Sequence, residues 1–207
     1  MSTKVKYPRT YHIPQSPKRG NDDKVIKSMS VFKDKKIVIT EKMDGENTTM
    51  YPDYIHARSI DSRNHLSRSW VKGFHAKIKY LIPDHVRICG ENMYARHTIE
   101  YDNLESYFLG FAIFEYNTCL SWDKTLEHFD RLGIKTPPVL YRGPSTPCAV
   151  NEIIHNKDYQ EGFVIRNEEA FRIEEWHDNI AKYVSEDFEI STEHWTKGPL
   201  IKNNLAV

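Results

Sequence analysis

Short runs of β-branched and aromatic residues alternate along the chain with apolar positions at helical spacing. Ile37, Val38, Ile39 and Thr40 stand in a row, which predicts a largely buried strand starting near Lys36. Asp44-Gly45 is a turn pair, and residues 47–51 predict a returning strand. Trp70, Phe74, Ile78 and Leu81 recur at helical spacing, with Ser67 or Ser69 as the cap and Pro83 as the stop. Residues 87–92 and 106–114 read as strands. Ser121 heads a second helix whose stripe is Trp122, Leu126, Phe129 and Leu132, closed by Gly133. Residues 150–155 predict a third helix, and 163–166, 171–173 and 180–184 short strands. Residues 1–30, rich in Pro, Lys and Asp, read as an irregular arm.

Irregular alternation with hairpin turns predicts an α+β fold, antiparallel sheets flanked by helices, rather than a doubly wound parallel sheet. The length predicts one domain over 1–207. No GxGxxG or P-loop occurs, so a bound nucleotide would not rest in a glycine-rich cradle.

Composition narrows the function classes. Apolar residues make up 39% of the 207, enough for a packed core. Lys+Arg and Asp+Glu number 29 each. A whole-molecule basic field is therefore absent, which counts against a passive nucleic-acid coat but not against an enzyme with a local basic groove. Cys89, Cys119 and Cys148 are far apart and form no CxxC, so neither a zinc knuckle nor a disulfide framework is indicated. The polar N-terminus carries no apolar leader, and residues 108–114 are too few to span a bilayer. The expectation is a soluble protein of the cytoplasm or another reducing compartment.

Lys42 ends an apolar strand just before the Asp-Gly turn. A partly desolvated lysine there has a lowered pKa and an amine able to attack, although alone it reads more simply as a solvated strand-end lysine. Glu91 and Glu161 sit in short β-like contexts among apolar residues and glycine, and Lys182 lies in a third strand. Transfer of an adenylyl group needs a nucleophile, a cation on the α-phosphate, carboxylates for metal and ribose, and a ring to stack the base. His97 lacks metal-site spacing and reads as structural. Asp22-Asp23 reads as a solvated turn. The basic stretch Arg58, Arg63, Arg68, Lys72, with His56 and His65, is either a solvated face or a grip on RNA phosphates.

The ordered motifs Lys42-Met43-Asp44-Gly45, His56-Ala57-Arg58-Ser59, Gly90-Glu91-Asn92, an aromatic strand, 161–167 and 181–184 resemble the covalent nucleotidyltransferase superfamily. Within it, the chain is similar to the ATP-dependent RNA ligases related to the second RNA ligase of T-even phages. The resemblance covers residues 7 to 205. It implies a nucleotidyltransferase (ATP-grasp-like ligase core) fold, ATP and Mg2+ or Mn2+ as cofactors, and RNA ends as partners. Lys42 would carry AMP, its pKa lowered by burial, by Lys182 and by the metal. Asp44 and Gly45 complete that motif, and Glu41 would present its backbone to the adenine edge. Arg58 would contact the ribose or the RNA 5′-phosphate, and Glu91 the ribose hydroxyls. Phe108 would stack on the base, with Phe111 as second choice. Glu161 would bind the metal and Lys182 the α-phosphate. Members often carry a second lysine two residues after the last one. Here that position is Val184, so either one lysine suffices or a nearby cation such as Arg166 or Arg172 helps. About 25 residues follow Lys182, which implies a nearly bare core without a separate C-terminal domain, and sealing helped by an accessory RNA-repair protein or by pre-adenylated ends. A DNA ligase, a GTP-dependent capping enzyme and a non-catalytic RNA-binding module are the alternatives.

Overall fold

Two sheets share the chain, and the turn at Lys42–Gly45 carries it from one to the other. The computed structural model describes residues 3–17, 20, 22–189 and 199–206. Parts of the expected arm (Met1, Ser2, Lys18, Arg19, Asn21) and residues 190–198 lie outside the described residues. The strands are β1 (Tyr11–His12), β2 (Lys36–Glu41), β3 (Glu46–Met50), β4 (Ile55–Ala57), β5 (Val86–Asn92), β6 (Phe108–Glu115) and β7 (Thr118–Cys119). β8 (Val139–Pro144), β9 (Gly162–Asn167), β10 (Phe171–Arg172) and β11 (Ile180–Val184) follow. The helices are α1 (Ser69–Ile78), α2 (Trp122–Leu132) and α3 (Pro147–Asn156).

The first sheet runs β1-β11-β9-β2-β8, antiparallel except for β1 beside β11. The second runs β10-β7-β6-β5-β3-β4 and is antiparallel throughout. Each sheet buries one face under helices. Ile37, Ile39, Phe163, Ile165 and Tyr183 pack with Val150 and Ile153 of α3. Met50, Ile88, Phe108 and Ile113 pack with Val71 and Ile78 of α1 and Phe129 of α2. Between the sheets, Cys89, Ala112, Phe114 and Trp176 meet Ile180 and the partly buried Val164.

The expected elements form, with local departures. In α2 the Ser121 hydroxyl accepts from the Lys124 amide, and Gly133 takes the left-handed conformation (φ 64°) that ends the helix. In α1 neither serine caps. The chain enters through a 3-10 turn at Leu66–Arg68, where the His65 ring accepts from the Ser67 amide. The last predicted turn tightens to 3-10 at Lys79–Leu81, which rotates Leu81 out to 63% exposure. β8 was not legible because it is an edge strand, exposed or half-buried along its length and flanked by prolines. The arm is more ordered than predicted: β1 extends the first sheet beyond β11. No helix among the described residues is long and apolar enough to cross a membrane.

Candidate active site

The two-residue period of the strands sends one set of side chains into the cleft between the sheets. In β2, Ile37 and Ile39 face α3, while Thr40, and Lys42 just beyond, face the cleft. Val164 and Arg166 of β9, and Ile180 and Lys182 of β11, do the same. From the second sheet come Asn47, Glu91 and Phe111. Together they enclose a cavity of about 300 Å³.

Lys42 sits at its centre. The Lys42 backbone amide donates to the Gly162 carbonyl (2.9 Å), which ties the residue to β9. Its Nζ donates to Glu161 Oε1 at 2.5 Å. Gly162 must be glycine, because a Cβ there would run into the Tyr183 carbonyl oxygen of β11. Gly45 is demanded by space as well: a Cβ would lie 2.7 Å from the Asn92 carbonyl oxygen and 2.9 Å from the Glu91 Cγ. The two glycines let Glu161 and Glu91 close in on Lys42 from opposite sheets.

Electrostatics correct one expectation. Burial alone would lower the Lys42 pKa, but Glu161, Glu91 and Asp44 outweigh it and hold the ammonium above its ordinary value. Burial lowers Lys182, with Lys42 adding to the effect and Asp23 opposing it. Burial pushes Glu91 up to about 8, against the pull of Lys42. It also pushes Glu161 up, again opposed by Lys42. Glu161 is 6% exposed, and its second oxygen, Oε2, is buried with no hydrogen-bond partner among the described residues. That oxygen is a ready anchor for a cation. No group of three or more Asp, Glu, His or Cys able to hold a metal occurs among the described residues. The donor set fits a magnesium-like ion held by one carboxylate, with phosphate and water completing its shell.

Several predicted residues sit elsewhere or do other work. Phe108 is fully buried against α1 and α2 and does not line the cavity. Alternation accounts for this: Phe108 and Gly110 face the helices and Phe111 faces the cavity, while the bulge at Phe111, where Gly90 pairs Gly110 and Cys89 pairs Ala112, turns Ala112 and Phe114 to the cavity side as well. Phe111 is the ring that reaches the cavity, edge-on to Tyr7 at 5.1 Å. Asp44 turns away from the cavity and accepts from the Thr98 and Ile99 amides (2.8 and 2.9 Å), fastening the following loop. Glu41 lines the cavity, yet its amide is engaged by the Pro138 carbonyl and its carboxylate accepts from Gln160. Arg58 is exposed at the rim. Of the two cations suggested to assist, Arg166 lines the cavity but donates to the Leu120 and Phe111 carbonyls, and Arg172 lines a different cavity. Val184 is 7% exposed and does not line the cavity. In the basic stretch, Arg68 is committed to Glu46 through two nitrogens and His56 is 3% exposed, leaving Arg58, Arg63 and Lys72 toward solvent.

The arm supplies what sequence reasoning missed. Asp23 is no solvated turn residue: it faces Lys182 Nζ at 3.5 Å and His12 Nε2 at 3.2 Å. Tyr7, Arg9 and Thr10 also line the cavity. No motif marks them, because they precede the first periodic segment and arrive only when β1 pairs with β11.

A cleft between two antiparallel sheets, with a lysine flanked by glutamates from each, defines the nucleotidyltransferase-type ligase fold, and the comparisons agree. A Naegleria gruberi RNA ligase mutant solved with ATP and Mn superposes with a TM-score of 0.59 at 16% identity, over 89% of this chain and 57% of that one. An archaeal ATP-dependent RNA ligase superposes with a TM-score of 0.57 at 14% identity, over 87% of this chain and 48% of that one. The chain thus spans about half the length of these solved ligases. No match was found among curated proteins. The family model "RNA ligase" matches residues 35–184, and the chain belongs to that family.

Proposed function

We propose that the chain seals RNA ends with ATP, through AMP carried on Lys42. The observation that supports this best is the convergence of Lys42, Glu161, Glu91, Lys182 and Phe111 on one cavity. The cavity volume suits a nucleoside, with the phosphates extending toward Lys182 and the rim. The family match and the ATP and manganese in the Naegleria gruberi ligase structure support the nucleotide and a divalent ion.

Three displacements follow. Lys42 Nζ sheds its proton and bonds to the α-phosphorus, while the α–β bridge breaks and pyrophosphate leaves. A 5′-phosphate oxygen of RNA then attacks the same phosphorus, breaking the N–P bond and restoring the amine. Finally a 3′-hydroxyl attacks the RNA 5′-phosphorus, and AMP leaves. Lys182, its ammonium destabilised by burial, regains a favourable partner when an α-phosphate arrives. Phe111 offers its face to the base and Glu91 its carboxyl to the ribose. Glu161 Oε2 would hold a divalent cation, which when bound supplies charge that offsets the phosphates and competes with Lys42 for the carboxylates.

The test is intact mass after mixing with ATP and magnesium, then peptide mapping. The expected result is one AMP on Lys42. GTP in place of ATP, and DNA in place of RNA ends, separate the capping and DNA-ligase readings. ATP-dependent labelling that persists in Lys42→Ala would overturn the proposal.

A further inference from the structure

The other end of β5 holds a second unusual group. Arg87 is 6% exposed, and its Nε and Nη2 have no hydrogen-bond partner among the described residues. Its guanidinium lies 3.9 Å from the Phe114 ring centroid, and Nη1 makes a long 3.5 Å contact to the Tyr116 carbonyl. No ion pair to it is found among the described residues. The Cys89 thiol faces it, but burial raises that thiol to about 11, so it stays neutral and is a poor acceptor. Burial likewise favours neutral His56 nearby. A buried guanidinium whose Nε–H and Nη2–H groups lack partners calls for an oxyanion, and its planar fork suits two oxygens at once.

The space for one is present. Arg87 lines a cavity of about 690 Å³, with Arg172, His85, Tyr116 and Asp84 also in its wall. That volume exceeds what a bare anion needs. At the mouth the Tyr116 ring is 74% exposed and stacks on His85 (5.1 Å, 21°). Tyr116 is held there by a left-handed backbone (φ 49°), a conformation that a tyrosine adopts at a cost. An exposed ring and a guanidinium fork in one cavity wall are the pairing that binds a nucleotide by its charge and its base face.

We propose that this cavity is a second phosphate-binding site: Arg87 takes the phosphate and the Tyr116–His85 stack takes an attached base. Glu91 lies four positions beyond Arg87 in β5, about 13 Å along the strand, so the site is distinct from the Lys42 cavity. The phosphate is either a phosphodiester of an RNA strand or that of a free nucleotide or phosphate ion. Phosphate binding here does not depend on the Lys42 chemistry.

The test is nitrogen–proton NMR of the whole chain, following the Arg87 Nε–H and the Tyr116 and Thr118 amides. The probes are inorganic phosphate, AMP and a 5′-hydroxyl oligoribonucleotide, which offers internal phosphodiesters only. Saturable shifts of these signals are expected, separate from those around Lys42 and retained in Lys42→Ala. An oligonucleotide that binds tighter than AMP identifies an RNA strand; AMP or phosphate binding alone identifies a free ligand. Arg87→Gln should weaken binding about tenfold or more, and Arg172→Ala, at the exposed rim, severalfold, so a misfolded Arg87 variant does not end the test. No saturable shift of these signals with any probe overturns the proposal.

Discussion

The two ends of the β5–β6 pair solve the burial of charge in opposite ways. At the Glu91 end, charges of both signs are packed together: Lys42 bonds Glu161, Glu91 stands opposite, and Lys182 faces Asp23. At the Arg87 end a single guanidinium is buried with a ring and neutral groups for neighbours. Both arrangements cost free energy relative to an apolar core. The first is balanced within the protein, so its groups perturb one another's protonation and are poised for chemistry. The second has no counter-charge among the described residues, which suits recognition. Catalytic and binding sites can therefore be told apart by whether the counter-charge is built in.

The largest expected effect is at the balanced end. Lys42→Ala should abolish the AMP adduct in intact-mass spectra while circular dichroism stays unchanged. Next comes Phe108→Ala, which should lower stability by about 3–5 kcal/mol in denaturant melts and leave the KM for ATP unchanged, because that ring fills the helix-side core. A smaller effect concerns pH. The Glu91 carboxyl titrates near 8 in the fold against 4.5 in the unfolded chain, so the native state holds the extra proton. This contribution to stability is fully present below the unfolded value and is lost as pH rises through about 8. Urea melts across that window should show the slope, and Glu91→Gln should flatten it. An unchanged slope in that variant would mean that the carboxyl is already ionised and that the two ends differ less than their geometry implies. Smallest is Phe111→Ala, expected to raise the KM for ATP about tenfold with little loss of stability, since stacking on one ring is worth about 1–3 kcal/mol. If Phe108→Ala moves the KM instead, the assignment of the ring is reversed.

Much of the fold was legible because its signals are local. Ile37–Thr40, the Ser121 cap and the Gly133 stop act within a few residues, and β2, α2 and their ends follow. The ring facing the cavity was not, because alternation puts Phe108 and Phe111 on opposite faces and only the packing of Phe108 against α1 and α2 shows which face is the cavity's. The Lys42 pKa direction was not legible either. It depends on Glu161 and Glu91 arriving from sequence-distant strands, and their field exceeds the effect of burial. Asp23 escaped for the same reason: nothing in its neighbourhood announces a partner 159 positions away, since 182 − 23 = 159.

The turn from Lys42 to Gly45 is the one place where β2 of the first sheet runs directly into β3 of the second. Glu161 and Lys182 ride on one sheet, while Glu91 and Phe111 ride on the other. The chemistry is therefore split across a seam, and its alignment is only as good as the grip of the apolar layer inside it. A cavity cut at Trp176, which lines neither cavity, would loosen that joint and blunt the reaction without touching a single reacting group.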